Sequence, residues 1–316
     1  MIALAVLAPW LAWAVVRLGG VFDGARAVPL LAFTPYVAFT SPLPLLVALV
    51  LRRPPEALLS LAVVAGFAVA IVPRALPGPR PEIADGVPLR VMTANIFEGK
   101  ADPRALVDLV RAQRIDVLSL QELPPGTLHL LENEGLRRVL PYREVDTRPD
   151  GALHEGSGLF ARFPLRHLRP PDPNAFNAEP RAMLRVPGAP PIDVQAVHPA
   201  SPVDGRVAIW RHALEQLPRP DGGPVLRLLL GDFNATLDHV DLRRLLDAGG
   251  YLDAGDATGE GLRTTWPAGR RFPPELTIDH VLTDPRISPR SLSVLTVPGS
   301  DHRAVIAALV LPRTRG

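Results

Sequence analysis

Hydrophobic positions are concentrated at the start of the chain, where three long segments carry no aspartate, glutamate, lysine or arginine. The segments are 1–16, 27–51 and 57–73, and arginines lie in the gaps between them. A bilayer core of roughly 30 Å is crossed by about 20 apolar residues in a helix. The pattern therefore predicts three transmembrane helices, which make residues 1–74 a membrane anchor.

Two alternatives remain open for this region. Residues 1–16 resemble a cleaved signal peptide in length, but they lack a positively charged start, and two further apolar segments follow. The three segments are also compatible with buried helices of a soluble protein. Pro35, Pro42 and Pro44 interrupt the second segment, which a membrane helix with neighbours tolerates better than a soluble one.

The arginines leave the orientation in the membrane open. If the N-terminus is inside, the short Arg52–Arg53 turn is cytoplasmic and the rest of the chain is outside. The opposite orientation is supported by a larger number of arginines, namely Arg17, Arg26, Arg74 and Arg80. We favour the first, because the adjacent pair lies in a tight turn and the chain contains no cysteine. It predicts a multi-pass plasma-membrane protein with an extracytoplasmic C-terminal domain.

Residues 75–88 contain four prolines and two glycines and are predicted to be a linker. From residue 89 onwards, short apolar runs typical of strands alternate with helical patterns. Asp102 and Pro103 form a typical helix start, and further helices are predicted at 204–217 and 239–248. Strands are predicted at 89–96, 116–123, 158–163, 182–186, 192–197, 225–233, 277–284, 291–297 and 304–311. One domain over 89–316 with this content is either a pair of packed sheets flanked by helices or an open α/β sheet.

Polar side chains recur where these strands begin or end. They are Asn95, Glu122, His198, Asp232, Asn234, Asp279, Asp301 and His302. Several strand ends that carry only Asn, Glu, Asp and His predict one convergent site at an edge of the sheets. Carboxylate and amide oxygens without any thiolate favour a hard cation such as Mg²⁺ or Mn²⁺.

The charge distribution weakens one class of function. The chain has 34 Lys+Arg and 32 Asp+Glu, but the part after residue 80 carries a net charge of −2. High-affinity binding of duplex nucleic acid usually requires a surface rich in Lys and Arg. The composition therefore argues modestly against a duplex-binding protein.

The order of the motifs resembles a known family. The chain contains Asn95, Gln121–Glu122, His198, GDFN at 231–234, IDH at 278–280 and SDH at 300–302. This series over residues 89–311 is similar to the endonuclease/exonuclease/phosphatase superfamily. The resemblance implies an α+β fold, a four-layer αββα sandwich of two packed mixed sheets flanked by helices.

The resemblance also implies a metal site. Glu122 corresponds to the principal metal ligand of the family, and Asn95 and Asp301 correspond to supporting residues. The implied cofactor is Mg²⁺ or Mn²⁺. One position departs from the pattern of some abasic-site endonucleases, because Phe97 stands where they carry an acidic ligand.

The remaining motif residues correspond to catalytic groups of the family. Asp232 and Asn234 match the pair that orients or deprotonates the attacking water. His302 matches a histidine that contacts the scissile phosphate, and Asp279 matches the carboxylate that holds its imidazole. His198 matches a second phosphate-side histidine, a candidate general acid.

The activity implied is a membrane-anchored, divalent-metal-dependent hydrolysis of phosphodiester bonds, most readily a nuclease-like one. A phospholipid or sphingomyelin-type phosphodiesterase is the main alternative, since an anchor near lipid headgroups makes such a substrate geometrically reasonable. A catalytically inactive membrane scaffold is disfavoured, because no motif position carries an inactivating replacement. The expected partners are a phosphodiester substrate, either nucleic acid or a phospholipid headgroup, and membrane lipid around the N-terminal helices, without an obligate protein partner.

Overall fold

The structure is a computed structural model that describes residues 1–20, 27–148, 151–172, 175–270, 272 and 274–314. Within these residues, twelve strands form two six-stranded mixed sheets. In spatial order, sheet 1 contains β11 (Ser288–Thr296), β12 (Arg303–Leu311), β1 (Val87–Asn95), β2 (Val117–Gln121), β4 (Ser157–Ala161) and β3 (Tyr142–Asp146). Sheet 2 contains β5 (Leu165–Leu168), β6 (Arg181–Leu184), β7 (Ile192–Val197), β8 (Leu226–Asp232), β10 (Asp279–Thr283) and β9 (Leu252–Asp253).

The helices flank the sheets or precede them. The five that precede β1 are α1 (Ile2–Gly19), α2 (Ala27–Leu31), α3 (Thr34–Thr40), α4 (Pro42–Val50) and α5 (Pro54–Ile71), and a 3-10 helix follows at Val72–Ala75. Those in the sandwich are α6 (Pro103–Ala112), α7 (Pro125–Asn133), α8 (Leu136–Val139), α9 (Val207–Gln216), α10 (Val240–Asp247) and α11 (Ala254–Thr258).

Alternating side chains along the strands build the layers. Leu89 and Val91 of β1 belong to the core between the two sheets, together with Leu228 and Leu230 of β8. Met92 lies on the opposite face, in a core shared with α6, α7 and α8. A third core joins sheet 2 to α9 and α10. Because both faces of each sheet are covered, the four-layer αββα sandwich predicted from the resemblance is confirmed.

The helices before the sandwich correct one prediction. Among the described residues, two helices are long and apolar enough to cross a membrane, Ile2–Gly19 and Pro54–Ala75, instead of the three predicted at 1–16, 27–51 and 57–73. The predicted segment 27–51 is divided, because α2 ends at Leu31 and a shorter apolar helix covers Thr34–Val50. Proline cannot donate a backbone hydrogen bond and clashes with the preceding turn. Pro35 and Pro42 accordingly lie in the first turns of α3 and α4, at the two places where the helix that hydropathy alone suggested is broken.

The first helices pack as an antiparallel group. The indole nitrogens of Trp10 and Trp13 on α1 donate to Thr40 Oγ1 and Thr34 Oγ1, at 3.1 and 3.0 Å. Ala3, near the start of α1, is buried with Ala48 and Ala57. The end of α1 therefore lies beside the start of α3, and its start lies beside the end of α4. We call residues 1–74 the anchor.

The anchor is joined to the sandwich by a buried ionic cluster. Asp238, in the loop after β8, accepts hydrogen bonds from Arg17 Nε at 2.6 Å and from Arg74 Nη1 and Nη2 at 2.8 Å. Burial raises the pKa of the Asp238 carboxyl, but Arg74 and Arg17 more than offset this and hold it below its ordinary value. One carboxylate thus fixes the C-terminal ends of both long anchor helices.

Candidate active site

Strand ends bring the predicted residues to one edge of the sandwich. Asn95 ends β1, next to the parallel strand β2, and Glu122 directly follows β2. In sheet 2, Asp232 ends β8 and lies opposite Asp279, the first residue of β10. Six of the eight predicted residues line one cavity of about 410 Å³, which we call the site cavity: Glu122, His198, Asp232, Asn234, Asp301 and His302. Asn95 and Asp279 are not among the lining residues, but each forms a hydrogen bond with a residue of this set.

The imidazole of His302 lies between two aspartates. Its Nδ1 is 3.0 Å from Asp279 Oδ2, and its Nε2 is 3.8 Å from Asp232 Oδ2. Burial, the largest contribution, lowers the pKa of His302, but Asp279, Asp232 and Asp301 together raise it to about 9. His302 is therefore cationic at neutral pH and can face a phosphate.

The surroundings of Asp232 raise the pKa of its carboxyl. Burial and the nearby Asp279 raise its pKa to about 7, although His302 and two hydrogen bonds favour the ionised form. Those bonds come from the backbone N–H of Asn234 at 2.8 Å and from Asn95 Nδ2 at 3.1 Å. A carboxyl that titrates near neutral pH is well suited to exchange a proton with water.

Asn95 connects the two carboxylates at the base of the cavity. Its Nδ2 also donates to Glu122 Oε1 at 3.0 Å, while its Oδ1 accepts from the Phe97 N–H at 3.0 Å. In this orientation the amide positions Glu122 and Asp232 and does not offer a free oxygen. Its predicted role as a metal ligand stays a prediction.

Glu122 and Asp301 could hold a divalent cation. Glu122 Oε2 accepts the Glu98 N–H at 2.7 Å, and the residue has a φ of 58°, a left-handed conformation that is uncommon for a residue with a side chain. Asp301 Oδ2 accepts from Trp266 Nε1 at 3.1 Å, whereas its Oδ1 is buried without a hydrogen-bond partner among the described residues. A carboxylate pair with a free buried oxygen and no thiolate fits Mg²⁺ or Mn²⁺.

A second cluster could also hold a cation on geometric grounds. Asp232, Asp279 and His302 offer ligand atoms that lie within 4.8 Å of one another. The Asp279–His302 hydrogen bond already occupies one ligand atom of each residue. A cation at this cluster would have to displace that hydrogen bond, whereas Asp301 Oδ1 has no partner to displace among the described residues.

His198 and Asn234 complete the cavity wall. His198 Nε2 is 4.0 Å from both Glu122 Oε1 and Asp232 Oδ2. Burial, with smaller effects from His302 and His154, lowers the pKa of His198 to about 3. The ring is neutral at neutral pH, so it is a weaker candidate for a general acid than the sequence suggested. Asn234 Nδ2 donates to Pro199 O at 3.1 Å.

The sequence model of the Endonuclease/Exonuclease/phosphatase family matches residues 92–302, which is more than half of the chain. The chain belongs to this family. No curated protein sequence matches it significantly. Members of the endonuclease/exonuclease/phosphatase family are hydrolases of phosphoester bonds and typically use divalent metal ions, so the carboxylates and histidines of the site cavity lie in a phosphoesterase fold.

Solved structures share this fold. Humanized D. rerio TDP2 carrying 14 mutations superposes with a TM-score of 0.54 at 17% identity, over 70% of this chain and 98% of that one. D. rerio TDP2 complexed with single strand DNA product gives 0.53 at 17%, over 70% and 98%. A functionally unknown conserved protein from Enterococcus faecalis V583 gives 0.53 at 16%, over 71% and 100%. At these identities the similarity shows the endonuclease/exonuclease/phosphatase fold alone.

Sequence reasoning missed several residues that shape the site of this family member. Glu179 accepts from the His198 N–H and from Gln195 Nε2, each at 3.0 Å. Trp266 binds Asp301, as described above. Both residues lie in loops far along the chain from their partners, so no strand-end pattern marks them. Their neighbours Pro180 and Pro267 were the available local signals, and they indicate turns without indicating chemistry.

Proposed function

We propose that the protein is a membrane-anchored, Mg²⁺- or Mn²⁺-dependent hydrolase of phosphodiester bonds. The observation that supports it most directly is the series Asp279–His302–Asp232 beside the carboxylates of Glu122 and Asp301 in one cavity. A cationic imidazole can stabilise negative charge on the phosphoryl oxygens, and a carboxyl that titrates near pH 7 can accept a proton from the attacking water.

Each side chain has a definite part in this proposal. Asp232, fixed by Asn95 and the Asn234 N–H, orients water and accepts its proton. His302, held by Asp279, directs a positive Nε2–H at a phosphoryl oxygen, where negative charge develops. His198 has a neutral ring and forms a hydrogen bond with the phosphate on the side opposite His302. The water oxygen binds phosphorus, the bond to one ester oxygen breaks, and the proton lost by water balances the one gained by the departing alcohol.

Glu122 and Asp301, with Asn95 behind Glu122, are the residues that would hold the cation. A bound divalent cation supplies Lewis-acid neutralisation of the phosphate charge. This role is consistent with the buried free oxygen of Asp301 and with the density of carboxylates around it.

The membrane location is supported by exposed apolar surface. Along α1 and α5, large hydrophobic side chains such as Ile2, Val15, Leu58, Leu61 and Val69 are more than half exposed. A soluble monomer rarely presents contiguous apolar surface of this extent. Two helices long enough to cross a bilayer give the same indication.

The test uses the full chain in detergent, because Asp238 binds the anchor to the sandwich. Hydrolysis is measured with Mg²⁺, with Mn²⁺ and after chelation, on bis(p-nitrophenyl) phosphate, plasmid DNA, single-stranded RNA, sphingomyelin and a phosphoinositide. We expect metal-dependent turnover that falls about 10²- to 10⁴-fold in His302→Ala and in Glu122→Gln. The matched control is His129→Ala, an exposed histidine on α7, which keeps full activity. Equal rates in all four proteins, or turnover that survives chelation, would refute the proposal.

A further inference from the structure

The site cavity has two walls of opposite character. One carries the catalytic carboxylates and histidines described above. The other is apolar and includes residues from the anchor, Pro29, Ala32 and Phe33, as well as Phe176, Val203 and Leu276 from the sandwich. The anchor therefore contributes directly to the cavity in which the phosphoester would bind.

The anchor wall is fixed in place by buried contacts. Val28 packs with Trp210 and Phe233 of the sandwich core, and its carbonyl oxygen is 2.9 Å from His239 Nε2. Ala32 is buried against Leu276 and Ile278. These contacts make residues 28–33 a structural part of the sandwich, although they lie between two apolar anchor helices.

The lining does not favour a polyanionic substrate. Among the described residues around the cavity, Arg206 is the only arginine or lysine, and its guanidinium is 3.3 Å from Asp204. A nucleic-acid strand is held by several cationic contacts along its phosphates. A single phosphate with a hydrocarbon substituent fits one polar wall that faces one apolar wall.

The anchor part of the apolar wall also adjoins an exposed apolar side chain in the sequence. Leu30 on α2, next to Pro29 of the wall, is 53% exposed. Exposed side chains of this kind next to a ligand cavity mark a lipid or partner surface. Because this surface lies between membrane-type helices, lipid is the occupant that the chemistry favours.

We propose that residues 29–33 of the anchor form a hydrocarbon-binding wall of the active site, and that the substrate is an amphiphilic lipid phosphodiester taken from the membrane surface. The proposal rests on the phosphodiesterase function above and adds the substrate class. It makes the anchor a determinant of specificity as well as a tether.

The test uses a series of substrates that differ only in the length of their alkyl chain. Methyl, butyl, hexyl and octyl p-nitrophenyl phosphate share the leaving group and differ only in the alkyl chain. With the full chain and Mg²⁺ or Mn²⁺, we expect kcat/KM to rise by about threefold per added methylene until the wall is covered. The p-nitrophenyl ester of thymidine 5′-phosphate is the nucleotide comparison, and it is expected to react more slowly than the octyl ester.

A phenylalanine pair on the anchor provides the matched variants. Phe33→Ala removes part of the wall and is expected to lower the octyl-to-methyl ratio of kcat/KM by about tenfold. Phe39→Ala makes the same change at an exposed position outside the site cavity and leaves both rates unchanged. Phe176→Ala, on the sandwich side, repeats the loss of ratio without altering the anchor. A purely structural role would lower all rates and leave the ratio intact.

Binding measurements distinguish a failure of the hydrocarbon-binding wall from a failure of the proposed phosphodiesterase activity. Octylphosphonate and methylphosphonate are titrated into the full chain, with and without Phe33→Ala. Tighter binding of the octyl compound, lost in the variant, supports the wall even in a protein without turnover. Turnover that is independent of chain length, a faster thymidine ester, or equal effects of Phe33→Ala and Phe39→Ala would overturn the proposal while leaving the phosphodiesterase intact.

Discussion

His302 and His198 lie in the same cavity but have opposite charge states at neutral pH. His302 faces Asp279 and Asp232, whose negative charges raise its pKa to about 9. His198 Nε2 lies 4.0 Å from Asp232 Oδ2, farther than the 3.0 Å between His302 and Asp279, and burial lowers its pKa to about 3. The two charge states therefore follow from burial, which both rings share, and from the close carboxylate that only His302 contacts.

Asp279→Asn tests the positioning of His302. The asparagine cannot stabilise the imidazolium, so we expect kcat to fall about 10²- to 10³-fold with a much smaller change in KM. The control is Asp253→Asn, since Asp253 Oδ2 binds His280 Nδ1 at 2.7 Å in a similar buried pair outside the site cavity. We expect the control to lose stability but to keep kcat per folded molecule within about threefold. Comparable losses of kcat in both variants would contradict the assignment.

Glu179 gives a pH dependence of stability. Burial is the largest effect on its carboxyl and raises the pKa from 4.5 to about 7, against the hydrogen bonds from His198 and Gln195. The folded state binds the proton more tightly than the unfolded state, so stability falls as the pH rises from about 4.5 to about 7. Glu179→Gln removes this loss of stability, because a glutamine does not ionise. The new amide can donate to Gln195 Oε1, which has no partner among the described residues, once the Gln195 amide flips.

The measurement is the apparent melting temperature of both proteins between pH 5 and pH 8. Relative to the original chain, we expect Glu179→Gln to gain about 1–3 kcal/mol of stability between these limits. The change at Asp232 in the same pH range is common to both proteins and cancels in the difference. A constant difference across the pH range would show that Glu179 ionises as an ordinary carboxyl.

Among the secondary-structure elements, sequence patterns identified those with long apolar runs. The nine predicted strands are all present, and most are buried on both faces, so they read as runs of Val, Leu, Ile and Ala. Three strands at sheet edges were missed: Tyr142–Asp146 and Leu165–Leu168 contain charged residues, and Leu252–Asp253 is only two residues long. The eight site residues were proposed from polar residues where strands begin or end and from the order of the family motifs, whereas Asp238 depends on a partner more than 150 residues away.

The ionic cluster at Asp238 is predicted to stabilise the joint between the anchor and the sandwich. Asp238→Ala leaves the buried guanidiniums of Arg17 and Arg74 without a counter-charge, which costs about 3–5 kcal/mol for a buried pair. We expect a lower melting temperature in detergent and faster proteolysis after residue 75. Asp108→Ala, which breaks an exposed pair with Arg111, is the control and changes little. Equal melting temperatures would show that the cluster does not hold the anchor.

At the scale of the whole molecule, the ionic cluster at Asp238 accounts for two of the arginines that bear on the orientation in the membrane. Arg17 and Arg74 are bound to Asp238, so their presence at the sandwich end has a structural reason. The exposed pair Arg52–Arg53 lies at the start of α5, whose 18 residues span about 27 Å, and Arg74 follows the other end of the helix. Positive charge without a structural role indicates the cytoplasmic side. We therefore propose that the sandwich is extracytoplasmic.

The cysteine-free chain makes this orientation directly measurable. Leu51→Cys places one thiol in the turn beside Arg52, and Asp108→Cys places one on the exposed face of α6. In intact cells we expect a membrane-impermeant maleimide to label the Asp108→Cys protein at once and the Leu51→Cys protein only after permeabilisation. The reverse pattern would place the sandwich in the cytoplasm, and release of the protein by a carbonate wash would refute the membrane anchor. The expected pattern would put the active site where it meets lipids of the outer leaflet, because residues 29–33 belong both to its cavity and to the anchor.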